Sequence, residues 1–453
     1  MNKTNYLLFL FVFIIIILIF ILYNVYKKYN NKDKIRIGIL LNYPFLEVYK
    51  DELIIVENKS KDYIKNIPTY HLVNYDNKKY GYPYDLVIGY YIKHVRPDIE
   101  VDFITPNELT NERLDKNLIN FIIIFDLIEA LNIDSMIFDK QLSFGKTIYE
   151  NYKNILDKAT NVYPPKEYQK YFYSKSNYYN HLKSNNIPIT QFSNISTKNK
   201  TKFLNEIIKY AKKMKFDPFI TKPDSGQEAI NFILWKKVDK PKKDKFYKKS
   251  YTNVKELRRK LKKYYENVKI YKKVVIQKYI PGFDNEFDSN NMKKITSEIK
   301  SFYVGDKYAY SILTDKFCHR QPRIENKSVK FIDCQQECKK NKKCDDPCSF
   351  ITKSQQCIGP DINPTELNRV KLLDKFVLRA LPKIKLNDVE LPRLLTRIDK
   401  AFIAPYYSKK KRELFVNEIE FVPSLFVDII NYDMIEALGN QIANIVDIYY
   451  ENN

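Results

Sequence analysis

Glycine is scarce in this chain: nine residues in 453, about 2% against a usual share of roughly 7%. Lys, Asn, Ile, Tyr and Phe are plentiful instead, and their A/T-rich codons make an AT-rich genome the economical reading of both trends. Histidine is scarcer still. His71, His94 and His181 show no ligand spacing, which argues against a histidine-held metal. No internal repeat is present, so repeat architectures are excluded. No dedicated nucleophile is evident either.

Charge is absent from "TNYLLFLFVFIIIILIFILYNVY", Thr4 to Tyr26, whose apolar heart runs from Tyr6 to Tyr23. About eighteen such residues can span a bilayer with modest thinning. The stretch also lacks a small-residue cleavage site, which excludes a cleavable signal peptide and predicts an uncleaved single-pass transmembrane anchor over residues 1–28. Lys27, Lys28, Lys32, Lys34 and Arg36 follow it, whereas Lys3 and the amino terminus precede it. The positive-inside rule therefore places the main body in the cytosol.

What is present rules out a disordered chain. An apolar content of 44%, with 15% aromatic, is ample for two or three cored domains. The net charge is +23 and uneven: Lys236 to Lys273 holds 17 Lys or Arg against 4 acidic residues. This segment reads as a solvated basic insertion, with a polyanion-contacting patch as the other reading. A nucleic-acid partner is not expected, because drift toward lysine adds charge without one. All six cysteines lie between Cys318 and Cys357. Five of them, Cys334 to Cys357, form a C-x3-C-x5-C-x3-C-x8-C string that does not match common zinc pairs, so structural zinc, disulfides and free thiols all stay open.

Strands alternating with helical patterns from "KIRIGILLNY" onward predict a small α/β domain with a largely parallel sheet over residues 29–165, ending near Pro164-Pro165. A second domain follows over 166–453, carrying the Lys-rich stretch (236–273) and a Cys-rich insertion (318–360). "SEIKSFYVGDKYAYSILTDKF" reads as a hairpin with Gly305-Asp306 at its tip, and "NVKELRRKLKKYYENV" and "DMIEALGNQIANIVDIYY" read as helices.

Chemistry concentrates in two late strands, "LLTRIDKAFIA" and "FVNEIEFV". Strand side chains alternate faces, so Arg397 and Asp399 share one face, as do Glu418 and Glu420. Asn417 is assigned to the opposite face. If the strands are neighbours, three carboxylates and a guanidinium converge. Buried like charges need a compensating cation, and a hard divalent ion such as Mg²⁺ takes such oxygens together with nucleotide phosphates.

The R-x-D strand followed by "EIEFVP" resembles the ATP-grasp superfamily of carboxylate-amine and carboxylate-thiol ligases, which includes D-alanine:D-alanine ligase and glutathione synthetase. The resemblance runs from about Val162 to Pro423, behind an α/β domain that matches the family's preceding one. It implies α+β ATP-grasp lobes, ATP as the nucleotide and up to two Mg²⁺ held by Asp399, Glu418 and Glu420. Glu420 stands where the family has asparagine. By the same resemblance Lys175 and Lys222 would touch phosphate, Gln277, Lys278 and Ile280 would surround adenine, and Asp284 or Glu298 would bind ribose, with Glu298 preferred. Arg397 would face the tetrahedral intermediate. The phosphate-covering loop "KPDSGQEAINF" departs from the family in offering only Ser225, Gly226 and Ala229 as small residues. Lys316, His319, Arg320 and Arg323 read either as γ-phosphate or substrate contacts or as a solvated loop. The wording "NEIEFVPS" and the AT-rich composition resemble proteins of large DNA viruses.

The function so implied is membrane-anchored, Mg-ATP-dependent ligation of a carboxylate to an amine or thiol. A catalytically degenerate ATP-grasp scaffold or interaction protein on a membrane is the alternative, and polyanion binding through the lysine segment is a third.

Overall fold

A computed structural model describes residues 34–41, 53–55, 61–74, 80–123, 153–225, 231–240, 242–244, 248–280, 298–314, 319–320, 364–402, 413–423 and 433–453. The apolar run Thr4 to Tyr26, the cysteines and Asp284 lie outside these residues. Among the described residues no helix is long and apolar enough to cross a membrane.

The architecture is mixed α/β. Four parallel strands come first, in the order Ile99–Ile104, Ile35–Leu40, Ile119–Ile122, Val162–Tyr163. Parallel strands covered on both faces need apolar side chains on both, and Ile37, Ile39 and Leu40 are accordingly buried in succession. The crossover helix Tyr84–Val95 is buried nearly all round, because the C-terminal helix Asp433–Asn452 covers its far side. The two helices meet at Gly439, where an added Cβ would lie 2.3 Å from Tyr91 Cδ1.

Five strands follow in the order Lys248–Tyr251, Ile233–Lys237, Phe219–Pro223, Lys273–Lys278, Phe192–Ser196. Helices Lys200–Lys213 and Val254–Val268 pack beside this sheet. The second starts cleanly: the Asn253 side chain accepts from Glu256 N at 3.0 Å, and the Glu256 carboxylate accepts from Thr252 N at 2.8 Å, so orphan helix-end donors are met reciprocally. The expectation of a solvated basic stretch holds for its outer face only. Strand Lys248–Tyr251 pairs in parallel with Ile233–Lys237, and Leu257, Leu261, Tyr264 and Val268 are buried. The lysines alternate with that apolar stripe, so a charge count hides an element that closes a core.

A third sheet, in the order His319–Arg320, Lys307–Thr314, Glu298–Val304, Leu395–Phe402, Leu414–Phe421, is antiparallel throughout. Its hairpin turns at Gly305, φ +59°, and Asp306 as expected. One continuous core joins this sheet to the parallel sheet and the C-terminal helix, whereas the 192–278 sheet and its helices close a separate core around Phe203, Trp235 and Leu257.

Candidate functional site

Three adjacent strands of the third sheet build the site. Arg397 stands opposite Glu420, Asp399 opposite Glu418, and Lys300 opposite Asp399 on the other side. Directly opposed residues of a sheet share a face, so Lys300, Arg397, Asp399, Glu418 and Glu420 form one polar ladder, with Glu298 at its end. The structure thus brings together the four residues that the alternation predicts.

Asn417 is corrected. The register slips after Asp399: Glu418 faces Asp399 but Val416 faces Lys400, leaving Asn417 as the extra residue of a bulge. A bulge resets the alternation, and Asn417 Nδ2 donates to Glu298 Oε1 at 2.8 Å on the ladder's own face.

The contacts are dense. Arg397 Nε donates to Asp399 Oδ1 at 2.8 Å and its Nη2 to Oδ2 at 3.0 Å, while Nη2 also reaches Glu420 Oε1 at 2.6 Å. Lys300 Nζ lies 2.7 Å from Asp399 Oδ2 and 3.3 Å from Glu298 Oε2. Asp399 itself is fully buried. On the reverse face Lys400 is equally buried and pairs with Asp374 at 2.7 Å, with Tyr303 Oη donating to Asp374 at 2.8 Å.

Lys175 and Lys222 approach from elsewhere. Lys175 opens helix Lys175–Ser184, which is seated by Asp224: its Oδ1 accepts from Ser176 N at 2.6 Å and its Oδ2 from Ser174 Oγ at 2.8 Å. This puts Lys175 Nζ 3.3 Å from Glu418 Oε1. Lys222 lies inside the second sheet, and its Nζ donates to Tyr179 Oη at 2.9 Å. Tyr179 in turn donates to the Asn417 carbonyl. The register pairs Val275 with Lys222 and Gln277 with Ile220, so Gln277 shares the face of Lys222. Gln277 is buried; its amide donates to Thr190 Oγ1 at 2.8 Å, and among the described residues its Oε1 has no partner. Lys278 is exposed at the strand end, with Ile280 just beyond it.

Electrostatics split the two glutamates. Burial pushes both carboxyls up, but at Glu418 the charges of Lys175, Lys222 and Arg397 outweigh it and hold the group well below its ordinary value. At Glu420 burial wins, aided by the negative charges of Glu418 and Asp399 against Arg397, and the carboxyl is raised. Burial opposes the charge of Arg397, yet Asp399 and Glu420 keep it above its ordinary value. Lys300 is raised likewise: burial and Arg397 oppose its charge, and Asp399, Glu298 and Glu420 prevail.

Asp399, Glu418 and Glu420 each offer an oxygen, and these atoms lie within 4.8 Å of one another. An all-carboxylate set fits a hard cation such as Mg²⁺ rather than a soft one. Gln277 Oε1 and the two lysines fit a base with a donor edge and a polyphosphate. Gly226, Ala229, Lys316 and Arg323 lie outside the described residues, while His319 and Arg320 pair with Thr314 and Leu313 at the sheet's far edge. Sequence reading missed Lys300, Tyr179 and Asp224. For Lys300 a signal existed, since Glu298 and Lys300 alternate in "SEIKSFYV" just as Glu418 and Glu420 do.

No protein-family model and no curated protein matches the sequence. Solved structures do. A D-cycloserine synthetase is 10% identical with a TM-score of 0.48, covering 91% of this chain and 99% of its own. D-alanine–D-alanine ligase of Bacillus anthracis is 15% identical with a TM-score of 0.47 over 92% of this chain and all of its own. N5-carboxyaminoimidazole synthetase of Staphylococcus aureus is 11% identical with a TM-score of 0.43, over 92% and 78%. At such identities, and with TM-scores below 0.5, none of these likenesses decides the chemistry of this chain.

Proposed function

We propose that this protein is an ATP-grasp ligase that binds Mg-ATP against the Arg397–Asp399–Glu418–Glu420 ladder and joins a carboxylate to an amine or thiol. The convergence of three carboxylate oxygens within 4.8 Å beside Arg397, with Lys175 and Lys222 arriving from two other elements, carries this reading.

In the proposed reaction a substrate carboxylate oxygen attacks the γ-phosphorus, ADP leaves, and an acylphosphate results. An amine nitrogen or thiol then attacks the acyl carbon and phosphate departs. Asp399, Glu418 and Glu420 would line the Mg²⁺ seat, and the ion would offset phosphate charge when bound. Lys175 and Lys222 would neutralise phosphate oxygens, and Arg397 would stabilise the oxyanion at the acyl carbon. Positioning and electrostatics suffice for phosphoryl transfer, so no nucleophile of the chain is required. Gln277, Lys278 and Ile280 would surround adenine. Glu298 would bind ribose, with Asp284 as the other candidate. The two-domain division near residue 165, the membrane anchor over residues 6–23 and a cytosolic body belong to the same proposal.

A scaffold without catalysis is the second reading. It is favoured by one observation: Lys300, Arg397 and Lys175 already pair with every carboxylate of the ladder. Thermal melting of the chain with ATP and Mg²⁺ separates the two. The ligase reading expects stabilisation that Glu418→Gln with Glu420→Gln abolishes; no shift, or an unchanged shift in that variant, would sink it.

A further inference from the structure

We infer that Lys300 is a built-in cation of this carboxylate cluster, so that the site takes one divalent ion, through Glu418 and Glu420, rather than two. The inference rests on the Mg-nucleotide reading above and concerns how many ions that site can hold.

Asp399 is the most heavily engaged carboxylate of the three. Three donors, Arg397 Nε, Arg397 Nη2 and Lys300 Nζ, occupy its two oxygens, and its side chain is 1% exposed. An ion held by Asp399 would lie beside both the guanidinium and the ammonium that already neutralise this carboxylate. Lys300 is poorly placed to yield: its ammonium is also held by Glu298 at 3.3 Å, and Asn417 fixes that carboxylate in turn. Strand pairing sets Lys300 directly across from Asp399, so the backbone brings the two side chains to one face.

Glu418 and Glu420 differ. Among the described residues each has one charged partner, Lys175 at 3.3 Å and Arg397 at 2.6 Å, where Asp399 has two. Two such less-engaged carboxylates offer a seat for one ion, which would fill its remaining positions with water or phosphate, as Mg²⁺ commonly does. The negative charge at Glu420, where the family has asparagine, lies within the field of the Lys300 ammonium, which lowers its cost. A second divalent ion would sit beside an ammonium with little screening by water.

The test counts ions. The full chain in detergent is titrated with Mn²⁺ in the presence of β,γ-imido-ATP, and free Mn²⁺ is read by electron paramagnetic resonance. Ions that survive in Glu418→Gln with Glu420→Gln are subtracted. One ion per wild-type chain is expected, two in Lys300→Met, and one in Lys300→Arg, which keeps the charge. Two ions in the wild type would overturn the inference, and so would one ion in a Lys300→Met chain with native circular dichroism. If Lys300→Met does not fold, the wild-type count and Lys300→Arg still decide. No nucleotide-dependent ion in any of these proteins would overturn the Mg-nucleotide reading itself.

Discussion

Lys222 and Asn417, on different sheets, are joined through a single hydroxyl: Tyr179 accepts from the Lys222 ammonium at 2.9 Å and donates to the Asn417 carbonyl at the bulge. Tyr179→Phe removes both bonds and leaves two polar groups to find other partners. We expect a loss of about 1–2 kcal/mol in urea unfolding, the usual scale for such bonds. Mg-ATP affinity should fall about tenfold as Lys222 loses its anchor, equivalent to about 1.4 kcal/mol. Unchanged affinity with reduced stability would make the link purely structural.

The Lys400–Asp374 pair predicts a double-mutant cycle. Both groups are fully buried, and stripping one partner from a buried pair typically costs about 3–5 kcal/mol. Lys400→Met alone should therefore be severely destabilising. Lys400→Met with Asp374→Leu should recover most of the loss, because no charge is then left unpaired. Calorimetric melting of the wild type, both single variants and the double variant measures this; additive losses would contradict the pairing.

pH should separate the two ladder glutamates. The folded state lowers the Glu418 carboxyl, so its contribution is present above the ordinary value of 4.5 and is lost as pH falls through the folded value. The folded state raises Glu420, so stability instead declines as pH climbs above 4.5 toward that raised value. At pH 7, without metal, Glu420→Gln should thus be more stable than wild type, and the gain should vanish near pH 4. Glu418→Gln should be less stable at pH 7, with the deficit closing in acid. Urea titrations across this range check both signs.

Gln277 should show opposite effects on stability and binding. Among the described residues its Oε1 is a buried acceptor without a donor, a state that costs about 1–3 kcal/mol. Gln277→Leu is expected to raise the melting temperature of the nucleotide-free protein while weakening ATP binding. Calorimetric titration with ATP, beside a thermal melt, reads both; weaker binding without the stability gain would mean that Oε1 was satisfied by water.

Much of the ladder was readable from sequence because strand alternation is a local property. Two letters apart on a strand means one face, and this held for Arg397 with Asp399 and for Glu418 with Glu420. The bulge at Asn417 was not readable, since an extra residue exists only relative to the partner strand. Lys300 escaped for a related reason: it sits 99 positions from Asp399 in the chain, and only the strand order brings them side by side. The lysine-rich segment misled in another way. Charge density describes its outer face, whereas four apolar side chains at helical spacing decide its place in the fold.

The chain carries a formal charge of +23, yet the ladder sets Glu298, Asp399, Glu418 and Glu420 against Lys300, Arg397, Lys175 and Lys222. Locally the two signs cancel. Attraction of an anionic nucleotide from a distance therefore falls to the general surface field, and its residence to short contacts. Raising the ionic strength should slow nucleotide arrival while leaving departure nearly untouched, so capture and retention are governed by different parts of the molecule.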